Sequence, residues 1–444
     1  MRLMRFSVIV LLGAILPWTG NTVAIAGESE SFQHVKREFR QQLLSKQPET
    51  RITALVGLRQ YPIVPAAQLI VRMGLADDVD EVRATAHESL LEMNHNEAIC
   101  KFLLTTMRKD FRQRNQPPTT EALLDVLLSS GVPEIRERLK RWLEDDIDPE
   151  FLQHIAQRRD PQAVELLRKL SETEVFAERF AFRRATILTL TQMDLPEAVD
   201  VLIGLLGSLR GESRVDIAVY LQSISLENMG LDVEAWRGWW KNHRDEFEFP
   251  PLDERPSRSN NIAIGGEDGS YSRYYGFSIY AQRVVFVIDA STSMTGVRLE
   301  TAKRELLSAI EQLSAESEFA VVAYNSSARA WKQQLQPASL PAKKNAAKFV
   351  AGLRAGGMTA SFDALAAAFG YDAEAMYFLS DGVPTAGRIT ELPKILQAIE
   401  QLNRGRYISI YTIGIHAGAE GSDFVRFLKL LAEQNAGQFR EVDR

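Results

Sequence analysis

The chain has 444 residues, 25% of them charged and 45% hydrophobic, with 27 Gly and 17 Pro. That composition excludes disordered, collagen-like and multi-span membrane proteins, and it leaves room for two or three domains with their own cores. The 52 basic and 58 acidic residues give a net charge of −6, which argues against a duplex-DNA binder and its concentrated basic face; a single cysteine permits neither an intramolecular disulfide nor a thiolate zinc site.

Residues 1–26 read as a secretory signal peptide. Arg2 and Arg5 precede a mostly apolar run from Phe6 to Trp18, and Ala24-Ile25-Ala26 supplies the small residues for cleavage before Gly27. Pro17, Thr19, Gly20, Asn21 and Thr22 interrupt the run, so it falls short of the about 20 apolar residues that a spanning helix needs. No cysteine follows it for lipid attachment. The expectation is an exported protein of the periplasm, cell envelope or exterior, with no membrane span after cleavage. The mature chain then carries 50 basic and 58 acidic residues.

Residues 31–245 read as successive helices. Apolar residues recur at three- and four-residue spacing in Leu55-Leu58, Val82-Ala86-Leu90 and Val164-Leu167-Leu170, and strand signals are nearly absent. The segment Glu49–Leu58 aligns with Glu81–Leu90 at an offset of 32, with five of ten positions identical. Pro161–Glu165 likewise matches Pro196–Asp200 at an offset of 35. Periods of this size mean helix pairs that bury their faces only by stacking. The stretch Asp77–Arg83 followed by Ala86 and Leu90 resembles a HEAT repeat, which implies a solenoid; residues 111–160 show no clear copy. Such a solenoid offers a concave surface to a partner, or it acts as a spacer. Trp236, Trp239 and Trp240 share one helix face and read as a seal on the last repeat. Cys100 reads as a buried, inert thiol, and Arg136–Arg141 as a solvated helix face.

Residues 246–276 read as a linker, rich in Pro, Ser, Asn and Gly, and without the Gly-Lys-Ser/Thr ending of a phosphate loop. From residue 277 onward strands alternate with helices. Strands are expected at Val284–Ile288, Phe319–Tyr324, Met376–Leu379 and Ile408–Ile415. Helices are expected at Leu299–Leu313, Pro341–Leu353, Leu392–Leu402 and Phe424–Gln434. This alternation predicts a doubly wound α/β fold, a mostly parallel Rossmann-like sheet with helices on both faces. The chain is therefore multidomain, an all-α repeat followed by an α/β domain. Function in such sheets sits at the carboxyl ends of the strands.

Oxygen-bearing side chains collect there. Asp289-Ala290-Ser291-Thr292-Ser293 follows the first strand, Thr359 follows Gly356-Gly357, and Asp381-Gly382 follows the Met376–Ser380 segment. Two carboxylates with several hydroxyls, and no imidazole or thiolate, suit a hard cation such as Mg²⁺ with about six oxygen ligands near 2.1 Å.

These three segments together resemble a von Willebrand factor A domain with its metal-ion-dependent adhesion site, over about residues 283–444. The resemblance implies that Ser291, Ser293 and Thr359 ligate a divalent ion (Mg²⁺, or Mn²⁺ or Ca²⁺) through their hydroxyls. It implies that Asp289 and Asp381 act directly or through water, and that an acidic side chain of a protein partner completes the shell. Asp363 would orient rather than ligate, and Thr292 stands where many members have Gly. Together with the Tyr-Tyr-Gly-Phe-Ser-Ile-Tyr segment before the first strand, the architecture resembles exported bacterial proteins of this family.

The function expected is metal-dependent protein binding, in adhesion or as a scaffold. Two alternatives stand beside it: an accessory subunit of an enzyme or ATPase assembly, and a purely structural envelope protein with an empty site. The signal peptide speaks against the first, because those machines use cytoplasmic ATP. No catalytic constellation is apparent. Ser291 lacks the Gly-x-Ser-x-Gly elbow, no histidine is positioned to activate it, and an Asp-x-Asp phosphotransfer motif fails at the same position. His416 reads as structural. From Arg283 onward there are 18 basic and 17 acidic residues, so the acidity lies in the helical part.

Overall fold

The computed structural model describes residues 20–112, 118–145, 161–256, 271–416 and 422–442, with isolated positions between 146 and 160. Most of the expected signal peptide, residues 1–19, lies outside the described residues. The chain divides into two compact units, Met1–Arg141 and Trp142–Arg444.

In the first unit the helices include Gly20–Leu43, Pro48–Leu58, Asp80–Glu92, Glu97–Arg112 and Pro118–Leu128. Proline at the first turn of Pro48–Leu58 fixes the dihedral where an N–H would be unpaired anyway. Pro48–Leu58 packs on Asp80–Glu92, which packs in turn on Pro118–Leu128. The two segments aligned in sequence bury equivalent residues, Ala54 and Leu58 in one, Ala86 and Leu90 in the other. A second regularity appears only in three dimensions. Arg51 donates to Ser45 O at 2.9 Å, Arg83 to Asp77 O at 2.6 Å and Arg136 to Ser130 O at 3.1 Å. Each arginine reaches six residues back, to a carbonyl left unpaired where the preceding helix ends. The Arg136 strap falls in the stretch whose sequence shows no clear copy. Cys100 is fully buried, its Sγ 3.0 Å from Asn94 O, and burial pushes its pKa up.

The second unit holds further helices, among them Phe180–Leu190, Pro196–Ser208, Glu212–Ser225 and Val233–His243. Arg183 repeats the strap, donating to Ala177 O at 2.8 Å. Trp236 and Trp240 are buried, and Trp240 Nε1 donates to Asp200 at 2.7 Å, so Val233–His243 closes over Pro196–Ser208.

Among the described residues the same unit contains nine strands: β1 (Arg273–Tyr274), β2 (Phe277–Ser278), β3 (Arg283–Asp289), β4 (Glu318–Tyr324), β5 (Ala328–Ala330), β6 (Gln336–Pro337), β7 (Ala375–Ser380), β8 (Ser409–Ile415) and β9 (Phe439–Val442). Strands β4, β3, β7, β8 and β9 are parallel neighbours in that order, and β5 and β6 pair antiparallel with the outer edge of β4. Alternation along each strand feeds two cores. Val284, Phe286 and Ile288 pack under Val297–Gln312 and Leu340–Ala351, while Val285 and Val287 pack under Ser361–Ala368, Leu392–Asn403 and Asp423–Glu433. Because β4 and β7 flank β3, the chain leaves β3 on one side and returns on the other. That opens a crevice at the carboxyl ends.

Strand β1 and the turn of the β1–β2 hairpin fall in the expected linker, residues 246–276, while β2 opens the expected domain. Tyr275 and Gly276 both have positive φ, +48° and +79°, as a two-residue hairpin turn of this hand requires. Tyr274 is thereby driven into the core against Phe286 and Tyr377.

The amino ends of the strands are closed by the helices of this unit. Arg184, 1% exposed, donates to Tyr407 O, to Ser409 Oγ at 2.8 Å and to Asp216 at 2.9 Å. Glu212 accepts from Ser409 Oγ at 3.1 Å and Tyr411 OH at 3.2 Å. Glu374, just before β7, accepts the backbone N–H of Glu212 at 3.3 Å and of Gln282 at 3.2 Å. Burial raises the Glu374 pKa, opposed by those two bonds and by Arg183 and Arg283.

Candidate metal centre

At the opposite end of the sheet, Asp289 closes β3 and is fully buried. One carboxylate oxygen accepts the backbone N–H of Ser291 at 2.8 Å, and the other accepts the hydroxyl of Ser380 at 3.0 Å. Those bonds fix the turn that follows the strand. Burial lifts the Asp289 pKa to about 6, helped by the charge of Asp381 and opposed by the bonds from Ser291 and Ser380. The turn brings Ser291 Oγ to 3.0 Å from Ser293 Oγ, and Ser293 Oγ donates to Asp381 Oδ1 at 2.6 Å. The other oxygen of Asp381 accepts from Arg298 at 3.1 Å. Ser291, Ser293 and Asp381 are thus gathered from two loops into one oxygen cluster, with Asp289 behind it.

Thr359 arrives on a third loop that is bonded to the other two. The hydroxyl and N–H of Thr292 donate to Gly357 O at 2.8 Å and 3.1 Å. This accounts for a side chain at a position where Gly is common in the family, since the hydroxyl ties the first loop to the second. On the other side, Thr359 N donates to Thr385 Oγ1 at 3.0 Å, and Thr385 N donates to Thr359 O at 2.9 Å. Asp363 accepts Nε of Arg388 at 2.6 Å and the Arg388 backbone N–H at 3.3 Å. It holds the Asp381–Arg388 loop from outside the oxygen cluster.

The donor set fits a hard cation. All the side-chain donors are oxygens, and the 3.0 Å between the two serine hydroxyls equals the edge of an octahedron with about 2.1 Å metal–oxygen bonds. A buried carboxylate with two donors and no adjacent base gains most from a nearby positive charge. Among the described residues no three His, Cys, Asp or Glu side chains converge; hydroxyls supply the remaining oxygens. Ser380, Thr385 and Arg298 are contributors that sequence reasoning missed. Ser380 reads only as the last residue of a strand, and its link to Asp289 spans 91 positions.

The family model described as von Willebrand factor type A domain matches residues 282–440. Residues 282–440 form a von Willebrand factor type A domain. Among curated proteins, inter-alpha-trypsin inhibitor heavy chain H4 of Homo sapiens is 29% identical over 192 residues, 40% of this chain and 20% of that protein. The von Willebrand factor A domain-containing protein 3B of Homo sapiens is 30% identical over 175 residues, 39% of this chain and 13% of that one. The chain therefore spans only a small part of the length of these relatives. A solved von Willebrand factor type A structure from Catenulispora acidiphila is 27% identical with a TM-score of 0.32, covering 36% of this chain and 38% of that one. The strand order places the candidate ligands of the A domain at its topological switch point.

Proposed function

We propose that the A domain binds a protein partner by sharing a divalent cation with one of the partner's carboxylates. Asp289, Ser291, Ser293, Thr359 and Asp381 hold the ion, which is Mg²⁺, Mn²⁺ or Ca²⁺. The observation that carries this reading is the oxygen cluster of Ser291, Ser293 and Asp381 at the open edge of the sheet. Two protein charges and three hydroxyls leave part of a six-oxygen shell for water or for an incoming carboxylate. When bound, the ion supplies the positive charge that a partner's acid docks on. Asp289 orients the Ser291 backbone, Thr292 and Thr385 hold the three loops in register, and Arg298 steadies Asp381.

The role we propose for this site is binding rather than catalysis. We further propose that the chain is exported and that its helical part is a HEAT-like scaffold. The recurring arginine straps support a repeat, and no described helix is long and apolar enough to cross a membrane. The test is affinity capture from envelope extract on immobilised full chain, in Mg²⁺ and in EDTA. A protein retained in Mg²⁺, and lost both in EDTA and on the Asp289→Ala chain, is the expected result. Equal retention in both buffers contradicts the proposal.

A further inference from the structure

Exposed apolar side chains lie close in sequence to the candidate ligands, on segments that hydrogen bonds tie together. Among the described residues of the A domain, four large hydrophobic side chains are exposed: Val297, Leu340, Met358 and Val383. Met358 and Val383 lie on loops that carry candidate ligands, and Val297 opens the helix that follows the Asp289–Ser293 turn. Val297 is 80% exposed and lies four residues after Ser293; Met358 is 54% exposed and adjoins Thr359; Val383 is 50% exposed and lies two after Asp381. Scattered surface apolar residues mean little alone, but these sit on or directly after three loops bonded to one another through Thr292, Gly357, Thr359 and Thr385.

Each is also preceded directly by glycine, in Gly296-Val297, Gly357-Met358 and Gly382-Val383. Gly296 and Gly357 have φ of +81° and +79°, a backbone state that favours glycine. A Cβ on Gly357 would lie 2.6 Å from Ser326 Oγ, the same hydroxyl that accepts the Met358 N–H at 2.9 Å. The turn therefore packs its backbone inward and turns the methionine outward. Charge adds a second constraint. With a divalent ion in place, the two ligand aspartates are neutralised and Arg298 leaves the rim net positive, while Arg388 is already paired with Asp363. An acidic partner complements that charge, and a basic one does not.

We propose that this rim selects a protein segment in which the metal-docking acid has an apolar residue within two positions, and that Val297, Met358 and Val383 determine the preference. The proposal rests on the metal reading above and deepens it. In an extended segment, side chains two apart share a face, so an apolar neighbour there reaches the rim while the acid meets the ion.

The test is a displayed peptide library with a fixed central Asp or Glu and randomised flanks, panned on the full chain in Mg²⁺. Retained peptides should be enriched in Leu, Ile, Val, Phe or Met within two positions of the acid. The triple variant Val297→Ser, Met358→Ser, Val383→Ser should reduce their retention at least tenfold while keeping the need for the acid and for Mg²⁺. The three sites are exposed, so an unchanged thermal unfolding midpoint checks that the variant is folded. Retention that needs Mg²⁺ but shows no apolar neighbour, or is unmoved by the triple variant, overturns the rim proposal alone. Retention that survives EDTA overturns the metal reading beneath it.

Discussion

The two ends of one sheet handle carboxylates in opposite ways. At the amino ends of the strands, Glu212, Asp216 and Glu374 are buried, and each is met by protein donors: Arg184, Ser409, Tyr411 or backbone N–H groups. At the carboxyl ends, Asp289 and Asp381 are buried just as deeply, but their neighbours are mainly hydroxyls that can ligate as well as donate. The first arrangement ties helices to the sheet. The second gathers the side-chain oxygens of Ser291, Ser293 and Asp381 into one hydrogen-bonded cluster. Burial of acid is therefore no sign of function by itself; what decides is whether the groups around it can accept a cation.

Breaking the closed end should have the largest effect on stability. Arg184→Ala removes the buried ion pair with Asp216 and a donor to the Tyr407 carbonyl, which costs about 3–5 kcal/mol; chemical denaturation of the full chain measures it. Gly211→Ala comes next. Gly211 has φ of +73°, and a Cβ there would collide with the Glu374 carboxylate. The expected loss is about 1–3 kcal/mol by the same measurement.

Changes at the open end should separate stability from ligand response. The Ser291→Ala, Ser293→Ala double variant removes two small hydroxyls, and its metal-free stability should fall by only about 1–2 kcal/mol. Wild type should gain unfolding temperature with added Mn²⁺ or Mg²⁺, because an ion that binds only the native state stabilises it by mass action. The double variant should show no such gain in differential scanning calorimetry.

The smallest effect is the pH dependence set by Glu374. Its pKa is raised in the folded protein above the ordinary 4.5. Its contribution to stability is thus fully present below about pH 4.5 and is lost as pH rises through the folded value. Glu374→Gln should flatten that decline in denaturation midpoints measured from pH 4 to 8, since the amide oxygen still accepts both backbone N–H groups. An identical profile in the variant would assign the dependence elsewhere.

Much of the A domain was legible because its strands are continuous β-branched and aromatic runs. β3 and β7 extend the expected Val284–Ile288 and Met376–Leu379 by only one residue at each end. The oxygen cluster was legible for a related reason, since its members lie within a few residues of strand ends. Hairpin β1–β2 was not, because its strands are two residues long and its turn places Tyr275, rather than Asn or Gly, at positive φ. The closed end was equally hidden. Arg184 and Ser409 are 225 positions apart, and no local pattern marks either as a partner. The arginine strap at Arg136 escaped self-comparison because a single side chain defines it, while the apolar residues around it follow no strict register.

Calorimetric titration of the full chain with Mn²⁺, in wild type and in the Ser291→Ala, Ser293→Ala variant, tests the central claim most directly. Saturable binding of a single ion by wild type, absent from the variant, is the result the geometry predicts. No binding by wild type, or equal affinity in both proteins, would contradict it.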